Sequence, residues 1–489
     1  MTNSPHLTYI PSSLTNRPIL VYLLALLTVS LLFRARILAF EWWLFGIAEV
    51  TIFFYFSNIL SLRWQRLMPQ RFIKQLFLYA FLVRLLWVVV TYIFNVTVLG
   101  DPFGYDAADA TFYQEMGAGG AQWLRDGNWN LFDYLRMAAG YGTNQRHSVA
   151  FSDIGYPLYL AVVYFFTNDS IFIARVLNCV WGAWTAVLIY KLAARNFGEM
   201  TGRMAGILCM LMPTLWYYAG TQLKETFMVF MTVLVVEQGD SILRGGKLVA
   251  GKMLLVVAVT FYLFMYRTVL AATLIIAFFM ALTLSSQRVV KWGQRVIVGF
   301  LAVLLAGIMI FQNTNISSDV RSVTETGSSG QKSNMEWRSN RANGNSFAKY
   351  AGATVFAPLI FTLPFPTIVE TPGQEIMKMQ NGGNFCKNII SFFTILAMFM
   401  LLFEREWRKH LFPLAFMLGY LLVLVLSTFA QAGRFHQPSV PFEMMFASYA
   451  IAKLPEKIQY KRWYDYWLVI MYVAAVAWSW FKLAGRGLI

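Results

Sequence analysis

The chain has 489 residues, of which 58% are apolar and only 13% charged, and its formal net charge is +16. A soluble domain carries about 25% charged residues, so this composition, with a mean hydropathy of +0.54, excludes a soluble globule of this length. The apolar runs are continuous rather than alternating, which argues against a β-barrel and for an all-α polytopic membrane protein.

Taken in chain order, about thirteen runs are long enough to be read as transmembrane helices. They fall near 18–33, 38–61, 76–99, 170–193, 202–219, 223–240, 250–266, 268–285, 296–312, 386–403, 411–430, 437–453 and 464–484. The N-terminal stretch "MTNSPHLTYIPSSLTNRP" lacks the layout of a signal peptide, so the first helix is expected to stay as an anchor. Basic residues gather in six short segments: 62–75, 190–203, 242–252, 287–295, 404–410 and 456–462. That distribution follows the positive-inside rule rather than the pattern of a nucleic-acid binder, and no nucleic-acid partner is expected. One orientation puts all six in the cytoplasm, with the N-terminus inside and the C-terminus outside. Arg34 and Arg36 are then the exception, in a short outer turn. Phe, Trp and Tyr make up 17% of the chain, in keeping with interfacial belts. The three cysteines, Cys179, Cys209 and Cys386, lie in or beside apolar runs without metal-ligand spacing.

Two apolar pieces must not cross if this parity holds. "GYPLYLAVVYFF" (155–166) opens with Gly and Pro, and "VFAPLIFTLPFP" (355–366) carries three prolines. Both are expected along the outer interface. The chain is then a single membrane domain, 1–489, with two long extracytoplasmic loops, 100–169 with interfacial helices and 313–385. Loops of this length are more often functional than connecting.

The first loop opens with "GDPFGYDAADATFYQEMG" (100–117), which holds Asp101, Asp106, Asp109 and Glu115. Asp106 is placed to cap a short helix from Ala107, with Asp109 in its first turn. One capping acid suffices, so Asp109 is free for another task, such as accepting a proton from a hydroxyl near the interface. Candidate cations on the same side are Lys224, Arg267, Arg434 and His436, with Arg338 and Arg341 in the second loop. Glu225 opens a membrane helix after Lys224 and reads first as a favourable acid at a helix N-terminus. Arg175 lies within a span and is either paired or near a lipid phosphate. His147 reads as solvated. Trp216, Tyr217 and Tyr218 read as belt residues before a sugar platform.

"DATFYQEMGAGGAQWLRDGNW" from Asp109 resembles the first-loop signature of the C-type (GT-C) glycosyltransferase superfamily, in its protein mannosyltransferase-like and aminoarabinose transferase-like (glycosyltransferase family 39-like) branch. The residues concerned are Asp109, Phe112, Tyr113, Met116, Gly127 and Trp129. The stretches at 152–198 and 211–231, and "GRFHQPSVP" (433–441), resemble later elements of the same families in the same order. The resemblance implies a GT-C-like fold and a transferase of a hexosyl or pentosyl unit. The donor would be a polyprenyl-phosphate-linked sugar, and the acceptor a hydroxyl of a glycan, lipid or protein, with membrane lipids around. Asp109 would be the catalytic base, with Asp106 as a second catalytic candidate. Asp153, Lys224, Arg267, Arg434 and His436 would bind substrate. Relatives often carry a second acid directly after the base, where this chain has Ala110. A divalent metal ion is therefore an open question, with Asp106 or Asp153 as the acid to supply. The expected setting is a bacterial inner membrane with the active site extracytoplasmic. Two rival readings are a polysaccharide polymerase or ligase using polyprenyl-diphosphate glycans, and a non-enzymatic transporter of lipid-linked sugars.

Overall fold

The computed structural model describes residues 7–135, 151–245, 250–284, 357–427, 430–454 and 459–489. The expected run at 296–312, most of the second loop, the segment 287–295, and His147, Arg338 and Arg341 lie outside them. Among the described residues the regular structure is helical, apart from a single antiparallel bridge between Ile37 and Val369.

The main helices are α1 (Ser12–Leu32), α2 (Phe40–Trp64), α3 (Pro69–Phe94), α4 (Ala107–Arg125), α5 (Gly155–Thr167), α6 (Ile171–Phe197) and α7 (Glu199–Leu211). They continue with α8 (Glu225–Gly245), α9 (Ala250–Phe264), α10 (Thr268–Leu284), α11 (Asn381–Phe403), α12 (Leu411–Leu426), α13 (Gly433–His436), α14 (Val440–Lys453) and α15 (Gln459–Ala484). Eight helices among the described residues are long and apolar enough to cross a membrane: α1, α2, α3, α6, α8, α11, α12 with its leading turn, and α15. Four more of the expected spans are present as shorter helices. The run at 202–219 is broken by Pro213, which follows an extended Met212 and opens a five-residue helix, Pro213–Tyr217. The run at 437–453 narrows to the 14 residues of α14, whose first turn holds Pro441. α9 and α10 have 15 and 17 residues, or about 22–26 Å at 1.5 Å per residue.

Contacts sort the loops into two ends. Arg203 Nη1 donates to the carbonyls of Trp64 (2.8 Å) and Gln65 (3.0 Å), which joins 190–203 to 62–75. Arg244 Nη2 donates to Asn196 Oδ1 and to the Lys409 carbonyl, each at 2.5 Å, which adds 242–252 and 404–410. Arg195 closes on Glu237 and on Asp240, and Lys453 on Glu404. At the opposite end the Arg36 carbonyl accepts from Glu370 N (3.0 Å), and Lys482 Nζ reaches Gln374 Oε1 (3.1 Å). The Arg34–Arg36 turn, the end of the second loop and the C-terminal end of α15 therefore share the end away from the basic segments.

Neither of the two remaining apolar pieces crosses in its described part. Gly155 N, at the start of α5, donates to Met265 O (2.9 Å), and Arg175, one turn into α6, donates to Pro102 O (2.6 Å). Both ends of α5 thus lie at the same end of the bundle. The described part of the second piece runs through Thr362–Pro366 without helix. Its carbonyls are satisfied by the first turns of α11: Lys387 Nζ donates to Leu363 O (2.5 Å), and Asn388 Nδ2 to Thr362 O and to Pro364 O (3.1 Å). Irregular backbone survives among membrane helices only when it is enclosed and paired in this way.

α2 and α11 meet at glycines. A Cβ on Gly46 would stand 1.9 Å from Tyr22 Oη and 2.1 Å from Asn381 Oδ1, two atoms that are hydrogen-bonded to each other. One turn on, the buried Glu49 accepts from Gly383 N (2.8 Å) and caps the start of α11 from a neighbouring helix. Gly46→Ala is expected to cost about 1–3 kcal/mol by overpacking, read as earlier thermal unfolding of the detergent-solubilised protein.

Candidate active site

α4 follows a turn that contains two glycines in the left-handed region, Gly100 and Gly104, both at φ +69°. Asp106 lies in the 3₁₀ turn just before α4, and its side chain is outside the described part. Asp109 is in the first turn, and Tyr113, four residues on, shares its face. Across from them stand the first residue of α8, Glu225, the turn between α9 and α10 with Arg267, and the short helix α13 with Arg434.

Arg434 joins these elements. Its Nη1 donates to Asp109 Oδ2 at 2.5 Å and its Nε to Glu225 Oε1 at 2.5 Å. Arg267 Nη2 lies 3.7 Å from the same Glu225 oxygen. Its Nη1 donates to Tyr420 Oη (3.0 Å), which in turn donates to Phe435 O (2.9 Å). The Arg267 guanidinium also covers the Phe435 ring, 4.3 Å from its centroid. A second set stands beside the first. Lys224 Nζ donates to Asp153, to Ser152 O (3.1 Å) and to Tyr266 O (2.8 Å), using all three of its donors. Tyr113 Oη donates to Asp153 Oδ1 at 3.3 Å.

Apart from Glu225, which is fully buried beneath the two arginines, these groups line one cavity of about 390 Å³, whose remaining wall includes Val269, Val423 and Leu424 from α10 and α12. It lies at the end of the bundle opposite the basic segments. Burial lowers the pKa of Lys224 and Asp153 opposes that shift. Burial, and then Asp153, raise Tyr113, which stays a neutral donor. Burial works against the charge of Arg434, but Glu225 and Asp109 outweigh it and raise its pKa. Three acids and three bases balance within this group.

The cavity brings together Asp109, Asp153, Lys224, Arg267 and Arg434 of the expected residues. His436 is absent from its wall. Its ring is fully buried behind α13, with Nε2 at 2.8 Å from Ala430 O and Nδ1 at 3.1 Å from Lys387 Nζ. On a helix the position two after Arg434 points about 200° away. Arg175 is also fully buried and is held to Pro102 O against the Tyr92 ring, 5.7 Å away. Trp216, Tyr217 and Tyr218 are neither belt nor platform. All three are buried, Trp216 and Tyr217 against Trp87. Two residues of the site carried weaker sequence signals. Glu225 does stand at a helix N-terminus, but its carboxylate also takes both arginines. Tyr420 gave no signal, because it sits in an uninterrupted apolar run.

The described donor set, which does not include the Asp106 side chain, offers a metal ion no ready site. Among the described residues no three His, Cys, Asp or Glu converge, and both cavity-edge aspartates already bind cationic or hydroxyl donors. No family model, curated protein or solved structure matches the chain.

Proposed function

We propose that the protein is an integral-membrane glycosyltransferase of GT-C-like architecture. It transfers a sugar from a polyprenyl-phosphate donor to a hydroxyl acceptor with inversion. The observation that carries this reading is the meeting of the Asp109 carboxylate and the Arg434 guanidinium in one cavity at a helix-bundle end. In this reading the basic segments lie in the cytoplasm, the short helices complete a thirteen-span bundle, and the cavity opens on the extracytoplasmic face of a bacterial inner membrane.

The chemistry follows from the parts. The acceptor oxygen attacks the anomeric carbon, the bond from that carbon to the phosphate oxygen breaks, and Asp109 takes the hydroxyl proton. The leaving group is a polyprenyl phosphate anion. Arg434 presents a planar fork to it, and Arg267 and Lys224 add positive potential. Phosphate binding to Arg434 draws this group off Asp109 and frees the carboxylate for the acceptor. The apolar wall at Val269, Val423 and Leu424 offers the isoprenoid tail a way out between α10 and α12.

Charge balance favours a monophosphate donor over the diphosphate that a polymerase would use. Every cavity cation already has a carboxylate, so each added negative charge must displace one. The test is a mass-resolved transfer assay with purified protein and a panel of polyprenyl-phosphate and polyprenyl-diphosphate sugars. Transfer from a monophosphate donor is expected. Turnover confined to diphosphate donors would overturn the assignment in favour of a polymerase, and none from any donor would remove the enzyme reading.

A further inference from the structure

Behind the cavity lies a set of buried ionisable groups that the proposed chemistry does not use. Lys387, on α11, is 1% exposed, His436 is fully buried, and Glu443, on α14, is 1% exposed. Lys387 Nζ donates to Leu363 O (2.5 Å), stands 3.1 Å from His436 Nδ1 and lies 3.9 Å from Glu443 Oε2. Glu443 Oε1 accepts from Ser439 Oγ (2.8 Å), and Ser439 Oγ is also 2.8 Å from His436 O.

The geometry fixes the imidazole. Nε2 faces the Ala430 carbonyl at 2.8 Å and therefore carries the hydrogen, while Nδ1 faces an ammonium and therefore accepts. His436 is thus a neutral connector. Burial, and then the Lys387 charge, hold its pKa well below the ordinary histidine value. A neutral histidine shut inside the protein binds no phosphate.

The set does connect segments. The Lys387 ammonium ties α11 to the non-helical Thr362–Pro366 stretch and to α13. α13 is only four residues long, too short to hold its own shape. Its first residue, Gly433, packs on this same stretch: a Cβ there would stand 3.3 Å from Pro364 Cγ. Arg434 follows Gly433, and His436 is the opposite anchor of that single turn. We propose that Lys387, acting through His436, is a positioning residue that fixes α13 so that Arg434 faces the cavity. This inference rests on the donor reading given above.

The double variant Lys387→Met with Glu443→Gln removes both buried charges together and leaves no lone ion behind. Binding of unsubstituted polyprenyl phosphate to the full chain in nanodiscs is measured for four proteins: wild type, this variant, Arg434→Ala, and the combination. The variant is expected to weaken binding about tenfold in the wild-type background and to have no further effect when Arg434 is absent. Amide exchange in 430–439 is expected to rise in the variant, with α14 beyond Met444 unchanged. Equal weakening in both backgrounds, or unaltered binding, overturns the positioning role. If wild type binds no polyprenyl phosphate, the donor reading fails. The inference is then decided by exchange alone, and unchanged protection of 430–439 defeats it. His436→Gln, measured in the same way, carries the test should the double variant fail to fold.

Discussion

Asp109→Asn is expected to keep polyprenyl-phosphate binding within about threefold of wild type while lowering transfer by about 10²–10⁴-fold. The side chain is 52% exposed and Arg434 keeps its bond to Glu225, so losing this ion pair costs about 0–1 kcal/mol of stability. The amide has nearly the shape of the acid but cannot take the acceptor's proton. Transfer and binding are separated by single-turnover measurement at saturating donor. A variant that turns over normally would sink the base assignment and leave the cavity as a binding site.

Arg434→Ala is expected to damage stability and binding together. Glu225 is fully buried, and its nearest remaining cation, Arg267, is 3.7 Å away. With only this longer pair left, the buried carboxylate is under-compensated, at a cost of up to about 3–5 kcal/mol, visible as a lowered unfolding temperature in detergent. Adding Glu225→Gln to Arg434→Ala removes that stranded charge. The pair of changes should restore most of the lost stability and none of the lost affinity for polyprenyl phosphate. Arg434→Lys should behave more like the alanine variant than like wild type, because one ammonium cannot span two carboxylates as the guanidinium does. Recovery of binding in the Arg434→Ala, Glu225→Gln protein would show that the guanidinium is a brace and does not touch the phosphate.

Asp109 and Arg434 are 325 positions apart, yet their shared end of the bundle was legible. Basic loops set the parity of the helices, and parity assigns each later turn to one end. The same reasoning kept α5 from crossing. What parity lacks is rotation and depth. It placed His436 with Arg434 because they are neighbours in sequence, although a helical turn aims them apart. It placed Trp216 and Tyr217 in an interfacial belt, although the break at Pro213 folds them onto Trp87. Nor does hydropathy register helix length: the apolar runs of α7, α9, α10 and α14 form helices of only 13–17 residues. Glu225 illustrates a further limit. A helix-capping acid and an arginine clamp have the same local sequence, and only the distant turns at Arg267 and Arg434 tell them apart.

The cross-bracing among Arg195, Glu237, Asp240, Asn196 and Arg244 at the far end has a metabolic consequence. A charged head group entering there would have to break several ion pairs at once, which fits the proposed transferase reading better than turnover of a carrier lipid across the bilayer. Under the proposed function, a carrier loaded with sugar in the cytosol would need a separate flippase to reach the cavity's side of the membrane. Under the same proposal the spent carrier would likewise be recycled by another machine, and throughput would depend on two proteins that never touch the cavity.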